Sequence, residues 1–334
     1  MAAAQEDVLM IGPARPVIAQ GLASAFNVLD LPSDTQGKKD FFSKSGRSLR
    51  AIATSISSRR IDSELMEQLP RLEIISSFGV GYDHVDAAWA GAHGIIVTNT
   101  PDVLTEEVAD TALGLLLCTV RELPQAERHL RAGKWANGDY PLSKASLRTS
   151  TVGLVGMGRI ARSIARRLDA VRVPVVYHAR KPAQDVPYRH YPNLVEMARE
   201  VNILLVIVPG GAGTRNMIDD NVLAALGPEG ILINMARGSV VDERALIDAL
   251  KNKTIMSAGL DVYADEPNVP QELVALPNVV LFPHVGSASV ATRAKMDQLV
   301  VDNLLAWKAG KPPLTPVPET PWPPPHARRN QGGS

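Results

Sequence analysis

Three apolar runs in the second half of the chain each lead into a side chain that can take part in acid–base or electrostatic catalysis. The side chains are Arg237, Glu266 and His284, and the runs before them are Gly230–Asn234, Ser257–Val262 and Val279–Phe282. The runs are rich in Val, Ile and Leu, which predicts buried parallel strands. Enzymes with parallel sheets have their active sites at the carboxyl ends of the strands. The positions of these three side chains therefore indicate a functional role rather than ordinary solvated surface charges.

These three residue types suit one reaction on a 2-oxo acid, which presents a carboxylate beside a ketone. The planar guanidinium of Arg237 can bind the carboxylate and polarise the ketone. When hydride reaches the ketone carbon, negative charge grows on the oxygen, and the imidazole of His284 can supply a proton there. The carboxylate of Glu266 can orient the imidazole through its other ring nitrogen and favour its protonated form.

A glycine turn predicts a dinucleotide as the hydride source. The run Val152–Val155 leads into Gly156, Met157, Gly158, Arg159, Ile160 and Ala161, and a helical pattern follows over Ile160–Leu168. This is G-x-G-x-x-A between a strand and a helix, in which glycines let the backbone approach a pyrophosphate at the helix N-terminus. The motif alone is weak, and its strand–turn–helix setting is what favours dinucleotide binding over a packing turn.

The end of the next strand predicts NADPH, with NADH still possible. NAD-binding folds usually carry an acidic residue about 20 residues after the glycine turn. Here the chain reads His178, Ala179, Arg180, Lys181, and it has no acidic residue between Ala170 and Gln184. Arg180 can pair with a 2′-phosphate. The alternative is that Arg180 and Lys181 are solvated turn charges.

The elements around these residues predict an α/β fold with two Rossmann-like or flavodoxin-like domains, parallel sheets and an active-site cleft between the domains. We expect a substrate-binding domain over residues 1–100, completed by 287–317, and a dinucleotide-binding domain over 101–286. Leu104–Leu130 is predicted as one helix and Ser289–Trp307 as another. The Pro-rich tail, 318–334, is predicted to be extended or disordered.

Composition excludes several classes of protein. The 35 basic and 35 acidic side chains cancel, which argues against nucleic-acid or acidic-membrane binding. The apolar runs are too short to span a membrane, and residues 1–12 lack the pattern of a signal peptide. Cys118 is the only cysteine and no histidine shows metal-ligand spacing, so we expect no metal site and a cytoplasmic location.

From about residue 70 to about residue 310, the chain resembles the D-isomer-specific 2-hydroxyacid dehydrogenases, and more narrowly their glyoxylate/hydroxypyruvate reductases. The likeness rests on Phe78–Asp86, Thr105–Asp110 and three ordered blocks: Asn-x-Ala-Arg-Gly at 234–238, Asp-Val-x-x-x-Glu-Pro at 261–267 and Pro-His-x-Gly-Ser at 283–287. It implies NADPH-dependent reduction of glyoxylate and hydroxypyruvate to glycolate and D-glycerate. It also implies a homodimer built around the helix near Leu104–Leu130.

The resemblance assigns further roles. Arg237, Glu266 and His284 stand at the catalytic positions of the family, and Val80 and Gly81 offer backbone N–H groups to the substrate carboxylate. Trp135 closes the pocket of a partner subunit, and Asp261 holds the nicotinamide carboxamide. The remaining cofactor contacts are predicted at Val208, Pro209, Thr214, Met235, Ala236 and Gly286. The glycine-rich stretch 210–213 departs from the family pattern and leaves the contacts of that loop open.

Two alternatives stay open on the sequence. One is an NADH-dependent enzyme of the same fold that acts on phosphoglycerate, a phosphonate, D-lactate or 2-ketogluconate. The other is a dinucleotide-sensing binding protein that resembles transcriptional corepressors of this fold. The balanced charge and the complete catalytic trio argue against the second.

Overall fold

A computed structural model describes residues 5–55 and 59–324 of the chain. The described residues divide into two compact units, the first within residues 5–104 and 289–324 and the second formed by residues 105–288. Each unit contains one parallel β-sheet. The predicted α/β class with two parallel sheets is confirmed, whereas the cleft between domains stays a prediction.

The first unit has a five-stranded sheet in the order β2-β1-β3-β4-β5, the flavodoxin-like order. Its strands are β1 (Glu6–Ile11), β2 (Phe26–Asp30), β3 (Ala51–Thr54), β4 (Ile74–Ser76) and β5 (Ile96–Thr98). Its helices are α1 (Pro16–Ala23), α2 (Thr35–Ser45), α3 (Ser63–Glu67), α4 (Ala87–Ala92) and α12 (Val290–Lys308). Strands that alternate with helices pair in parallel because each crossover returns the chain to the same sheet edge.

The C-terminal helix belongs to the core of the first unit. Helix α12 packs against α1, β3 and β4, and its Met296, Val300 and Leu304 are almost fully buried. The guanidinium of Arg15, just before α1, forms an ion pair with the buried Asp297 of α12. Residues far apart in sequence therefore complete one hydrophobic core.

The second unit has a seven-stranded sheet in the order β12-β11-β10-β9-β6-β7-β8, the doubly wound Rossmann order with one added strand. Its strands are β6 (Val152–Val155), β7 (Val175–His178), β8 (Arg189–Tyr191), β9 (Ile203–Val206), β10 (Ile231–Asn234), β11 (Ser257–Leu260) and β12 (Val279–Leu281). Its helices are α5 (Thr105–Val120), α6 (Leu123–Arg131), α7 (Arg159–Ala170), α8 (Leu194–Glu200), α9 (Asp220–Leu226), α10 (Glu243–Lys251) and α11 (Gln271–Val274). Short 3-10 helices cover Lys134–Asn137, Leu147–Thr149, Ala212–Thr214 and Gly238–Val240.

Strand register brings the three candidate catalytic loops to one sheet edge. Strands β10, β11 and β12 are neighbours, with Asn234 beside Leu260 and Leu260 beside Leu281. Parallel neighbours lie about 4.8 Å apart, so the loops that leave their carboxyl ends start side by side. The chain reverses its winding direction between β6 and β9, the position where such sheets bind ligands.

Two expectations about helices and termini differ from the structure. The single helix predicted over Leu104–Leu130 is wrong, because the chain breaks after α5 and restarts as α6. Glu122 has a left-handed φ of 53°, and Pro124 lies in the first turn of α6, where a missing N–H costs nothing. The Pro-rich segment, predicted to be extended or disordered, instead forms a turn at Pro318 and Glu319 followed by bends, and Thr320 and the preceding Val317 are buried in the first unit; residues 325–334 lie outside the described part.

The described residues contain no helix with the length and hydropathy that a bilayer crossing requires. Nor do they contain a group of three His, Cys, Asp or Glu side chains placed to bind a metal ion.

Candidate active site

The glycine turn after β6 has the geometry of a phosphate-binding turn. Gly156 has a φ of 109°, and a Cβ added there would lie 3.0 Å from the carbonyl oxygen of Ile207. Gly158 caps α7, and a Cβ added there would meet no heavy atom within 4 Å. The space above Gly158 at the helix N-terminus fits a pyrophosphate, because a backbone without a side chain lets the phosphate approach the N–H groups.

The other residues of this turn divide between packing and exposure. Met157 and Ala161 are buried, and Ala161 permits α7 to pack closely on the sheet. Arg159 is exposed and Ile160 is partly buried. The structure therefore places the predicted cofactor turn between β6 and α7, as the sequence indicated.

The basic residues Arg180 and Lys181, of which Arg180 is predicted to pair with a 2′-phosphate, follow the end of β7. Nδ1 of His178 lies 2.9 Å from the carbonyl oxygen of Tyr191, and Nε2 of His190 lies 2.9 Å from that of Ala179. These bonds tie the carboxyl end of β7 to β8. Arg180 and Lys181 follow on the surface, with both side chains exposed.

The loop after β9 closes on itself. The hydroxyl of Thr214 donates to the carbonyl oxygen of Pro209 at 2.7 Å. Val208 is partly buried, and its Cγ1 lies 3.1 Å from the position of a Cβ on Gly156. The glycine-rich loop thus lies beside the glycine turn after β6. The hydroxyl of Thr214 donates its hydrogen bond within this loop, to Pro209.

Glu266 and His284 form the central pair of the site. Nδ1 of His284 donates to Oε2 of Glu266 at 2.6 Å, and Oε1 of Glu266 accepts the N–H of Tyr263 at 3.0 Å. His284 has a left-handed φ of 54°, an uncommon conformation that points to a local constraint on the backbone. With Nδ1 committed to the carboxylate, Nε2 is the ring nitrogen left to serve a substrate.

The electrostatics keep Glu266 ionised. Burial alone raises the pKa of a carboxyl group, but the hydrogen bond and charge of His284, the N–H of Tyr263 and the charge of Arg237 together hold the pKa of Glu266 below its usual value. The charge of Arg237 therefore acts on the same carboxylate that orients His284. All three members of the predicted trio belong to the second unit.

Asn234 holds the turn that presents Arg237. Its side-chain Oδ1 accepts the N–H of Ala236 at 3.0 Å, and its Nδ2 donates to the carbonyl oxygen of Arg237 at 3.0 Å. Asn234 is 1% exposed, and Met235 and Ala236 are buried. The motif containing Asn234 was recognisable in the sequence, but the two hydrogen bonds from the Asn234 side chain to the backbone of the turn were not.

Asp261 organises the loop that carries His284. Its two carboxylate oxygens accept the N–H groups of Val285 at 2.7 Å and Gly286 at 2.8 Å. Burial raises the pKa of Asp261, although these two N–H groups and the charge of His284 act in the opposite direction. Contact of Asp261 with a nicotinamide carboxamide stays a prediction, and the bonds to Val285 and Gly286 are an additional role that sequence reasoning missed.

Val80 and Gly81 lie in the first unit, in the loop that follows β4. The N–H of Phe78 donates to Oγ1 of Thr54 at 2.8 Å, and the N–H of Gly79 donates to Oγ1 of Thr100 at 3.0 Å. Both threonines are fully buried. The backbone of this loop is therefore held by the buried side chains of Thr54 and Thr100, which no sequence motif had indicated.

Trp135 lies on the 3-10 helix Lys134–Asn137 with 62% of its surface exposed. Its Nε1 donates to Oδ1 of Asp139 at 3.3 Å. An indole this exposed is not part of the core of its own unit.

Comparison with known proteins defines the class. Residues 113–286 match the family described as "D-isomer specific 2-hydroxyacid dehydrogenase, NAD binding domain". The chain belongs to this family, and its second unit contains the family's NAD-binding domain.

The similar proteins include reductases of 2-oxo acids. The chain is 44% identical over 310 residues to "Glyoxylate/hydroxypyruvate reductase A HPR2" of Arabidopsis thaliana, which covers 93% of this chain and 98% of the relative. It is 39% identical over 311 residues to "2-ketogluconate reductase" of Gluconobacter oxydans, with 93% and 98% covered. A crystal structure of an NADPH-dependent glyoxylate/hydroxypyruvate reductase from Sinorhizobium meliloti, in complex with NADP and malonate, is 51% identical with a TM-score of 0.89 and covers 95% of this chain and 98% of that one.

Proposed function

We propose that the protein reduces glyoxylate and hydroxypyruvate to glycolate and D-glycerate with NADPH. The observation that carries this proposal is the 2.6 Å hydrogen bond between Nδ1 of His284 and the carboxylate of Glu266. The positive charge of Arg237 helps to lower the pKa of the same carboxylate. The proposed substrates and cofactor are those for which the similar reductases of Arabidopsis thaliana and Sinorhizobium meliloti are named.

In the proposed mechanism, Arg237 binds the substrate carboxylate and polarises the ketone. NADPH, when bound in the second unit, would supply the hydride that the ketone carbon receives. His284 holds a proton at Nε2 and donates it to the oxygen as negative charge develops there. Glu266 accepts the hydrogen bond from Nδ1 and so keeps the imidazole oriented with Nε2 toward the substrate.

The cofactor is proposed to lie along the carboxyl edge of the second sheet. Its pyrophosphate fits the space above Gly158, and its adenosine end is assigned to the segment 178–181. The nicotinamide side is assigned to Val208, Pro209, Thr214, Met235, Ala236, Arg237, Asp261, His284 and Gly286. Exposed Arg180 and Lys181 without a carboxylate between 171 and 183 support a 2′-phosphate, because an acidic side chain there would repel it.

The substrate carboxylate is proposed to accept the backbone N–H groups of Val80 and Gly81 in addition to the charge of Arg237. Two N–H donors suit the two oxygens of a carboxylate. The partly buried positions of both residues, next to the left-handed Gly79, support this role.

The functional form is proposed to be a homodimer in which Trp135 closes the pocket of the partner subunit. Supporting this, Leu123, Leu130 and Leu142 are 47%, 56% and 94% exposed within one segment that also contains Trp135. Side chains of this size in one exposed stretch favour a protein contact.

A cytoplasmic location is proposed as well, supported by a single cysteine, and cell fractionation tests it.

A steady-state panel tests the activity. Purified enzyme is assayed with glyoxylate, hydroxypyruvate, 2-ketogluconate and pyruvate, each with NADPH and with NADH, and His284→Ala is the inactive control. We expect the highest kcat/KM for glyoxylate or hydroxypyruvate with NADPH. A preference for NADH or for 2-ketogluconate would assign another activity within the family, and NADPH binding without any turnover would indicate a sensor.

Mixing variants tests the dimer. Trp135→Ala and His284→Ala are each expected to have low activity, and subunit exchange forms hybrids in which one site has both an intact His284 and the partner's intact Trp135. Statistical mixing should restore about a quarter of wild-type activity, because half the dimers are hybrids with one complete site. If mixing restores none, or light scattering finds a monomer, the dimer proposal is wrong.

A further inference from the structure

Two consecutive carbonyl groups in the loop after β4 are held by two consecutive residues after β5. The N–H of Thr100 donates to the carbonyl oxygen of Gly79 at 2.9 Å. Nδ2 of Asn99 donates to the carbonyl oxygen of Val80 at 2.8 Å. The first bond comes from the backbone and the second from a side chain.

These bonds orient the N–H groups proposed to bind the substrate carboxylate. A peptide unit is planar and trans, so its C=O and N–H bonds point in opposite directions. Fixing the carbonyl of Gly79 therefore aims the N–H of Val80, and fixing the carbonyl of Val80 aims the N–H of Gly81. Each N–H group is therefore oriented by a hydrogen bond to the carbonyl oxygen at the opposite edge of the same peptide unit.

Asn99 is itself held by the segment that follows α12. Oγ1 of Thr315 donates to the carbonyl oxygen of Asn99 at 2.6 Å, and the N–H of Asn99 donates to the carbonyl oxygen of Thr315 at 3.3 Å. Thr315 is clasped in turn by Asn303 of α12, whose Nδ2 donates to Oγ1 of Thr315 at 2.9 Å and whose Oδ1 accepts its N–H at 3.1 Å. Asn303 is fully buried, so the series ends in the core.

We propose that Asn99 is a positioning residue for substrate binding, and that Asn303 and Thr315 keep it in place. This inference rests on the proposed function, in which Gly81 donates to the substrate carboxylate. The Val80–Gly81 peptide depends on one side-chain amide, whereas the Gly79–Val80 peptide is held by backbone. Removing the Asn99 amide therefore frees one of the two carboxylate donors to rotate and leaves the rest of the loop bonded.

The expected signature is a selective loss of carboxylate affinity. In Asn99→Ala and the similarly sized Asn99→Leu, KM for glyoxylate should rise by about tenfold, the effect of losing one hydrogen bond to a charged group. The inhibition constant of malonate, a carboxylate that is not turned over, should rise by the same factor. The maximal rate should change far less, because Arg237, Glu266 and His284 lie in the other unit.

Thr315→Val removes the hydroxyl that bonds to Asn99 but leaves its side-chain amide, so we expect a smaller increase in KM. Asn27→Ala is the matched control, since Asn27 is an exposed asparagine of the same unit whose amide bonds to Asp7. It should leave every kinetic constant unchanged. The dissociation constant of NADPH and the Tm are measured on each variant.

Unchanged KM and malonate inhibition in folded Asn99 variants would overturn the proposal. Equal losses in NADPH affinity, maximal rate and Tm would also overturn it, because they would show a general structural role. If the wild-type enzyme reduces no 2-oxo acid, the proposed function fails separately, and malonate binding measured by calorimetry with NADP present still decides the role of Asn99.

Discussion

Gly238 packs directly against the backbone of Tyr263, so that a Cβ on Gly238 would lie 1.8 Å from the carbonyl carbon of Tyr263. Gly238 follows Arg237, and the N–H of Tyr263 donates to Glu266. The contact therefore joins the loop of the guanidinium to the loop of the carboxylate. Absence of a side chain at Gly238 is what lets the two loops lie so close.

Gly238→Ala should disrupt both loops at once. No flexible side chain can yield to the added methyl group, because its nearest neighbours are backbone atoms. We expect a loss of about 3 kcal/mol or more in the free energy of unfolding, together with a large fall in kcat/KM. Thermal denaturation and steady-state kinetics measure the two effects.

Gly114→Ala in the middle of α5 is the control, because a Cβ there meets nothing within 4 Å. It should keep or raise the Tm, since alanine favours a helix over glycine by about 1 kcal/mol. Equal behaviour of the two variants would contradict the close contact.

Glu266→Gln should lower the maximal rate of reduction more than it raises KM for glyoxylate. The amide removes the negative charge beside Nδ1 of His284, so the proton transfer from the imidazole loses electrostatic stabilisation while the contacts of Arg237 with the substrate carboxylate remain. We expect kcat for glyoxylate with NADPH to fall by about 10²-fold. Glu272→Gln, at an exposed carboxylate paired with Lys251, is the control and should keep the wild-type kinetics. Wild-type kcat in the Glu266 variant would remove Glu266 from the acid–base function.

The same pair should contribute to stability in a defined pH range. The pKa of Glu266 is lowered in the fold, so its ionised form is favoured there more than in the unfolded chain, and the resulting stability is present at neutral pH. It is lost as pH falls through the lowered pKa. The Tm difference between wild type and Glu266→Gln should therefore be largest near neutrality and shrink below about pH 4. A difference that grows in acid would reverse the inferred sign.

Arg237→Lys should lose activity although it retains the positive charge. A lysine lacks the planar fork that binds a carboxylate through two N–H groups and cannot bond the substrate in the same geometry. We expect kcat/KM for glyoxylate to fall by about 10²–10³-fold, with both KM and kcat affected. Arg244→Lys, on the exposed face of α10, should be indistinguishable from wild type. Wild-type kinetics in Arg237→Lys would assign the guanidinium a purely electrostatic role.

Arg180→Ala should reduce the preference for NADPH. Loss of a charge-assisted bond to the 2′-phosphate raises KM for NADPH by about tenfold and leaves KM for NADH nearly unchanged. The ratio of kcat/KM values for the two cofactors is the measurement, and exposed Arg199 of α8 provides the matched Arg→Ala control. Parallel changes for both cofactors would mean that Arg180 does not recognise the phosphate.

Gly156 and Gly158 should respond differently to alanine. Gly158→Ala places a methyl group in open space without steric conflict, so the Tm should hold while the dissociation constant of NADPH rises by about tenfold or more. In Gly156→Ala the added methyl group would lie close to the carbonyl oxygen of Ile207, and the positive φ of this residue is unfavourable for alanine. This variant should therefore also lose about 1–2 kcal/mol in the free energy of unfolding. Unchanged NADPH affinity in Gly158→Ala would place the pyrophosphate elsewhere.

Some elements could not be predicted because their sequences carry weak local signals. Helix α2 has no buried residue, and β2 buries only Phe26, so neither shows a clear apolar period. The break between α5 and α6 is signalled only by Pro124, which is also compatible with a helix start. Tertiary packing, rather than propensity, decides such segments.

The sequence by itself determined the α/β class, the glycine turn at Gly156–Ala161 and the strand-end positions of Arg237, Glu266 and His284. Those features follow from local periodicity and spacing, which need only a few neighbouring residues. Only the tertiary structure decided that Asp261 bonds to the His284 loop, that Gly238 packs against Tyr263 and that the side chain of Asn99 bonds to the carbonyl oxygen of Val80. These contacts join residues about 20 or more positions apart through hydrogen bonds and close packing, and such contacts form only when the strands come together in register.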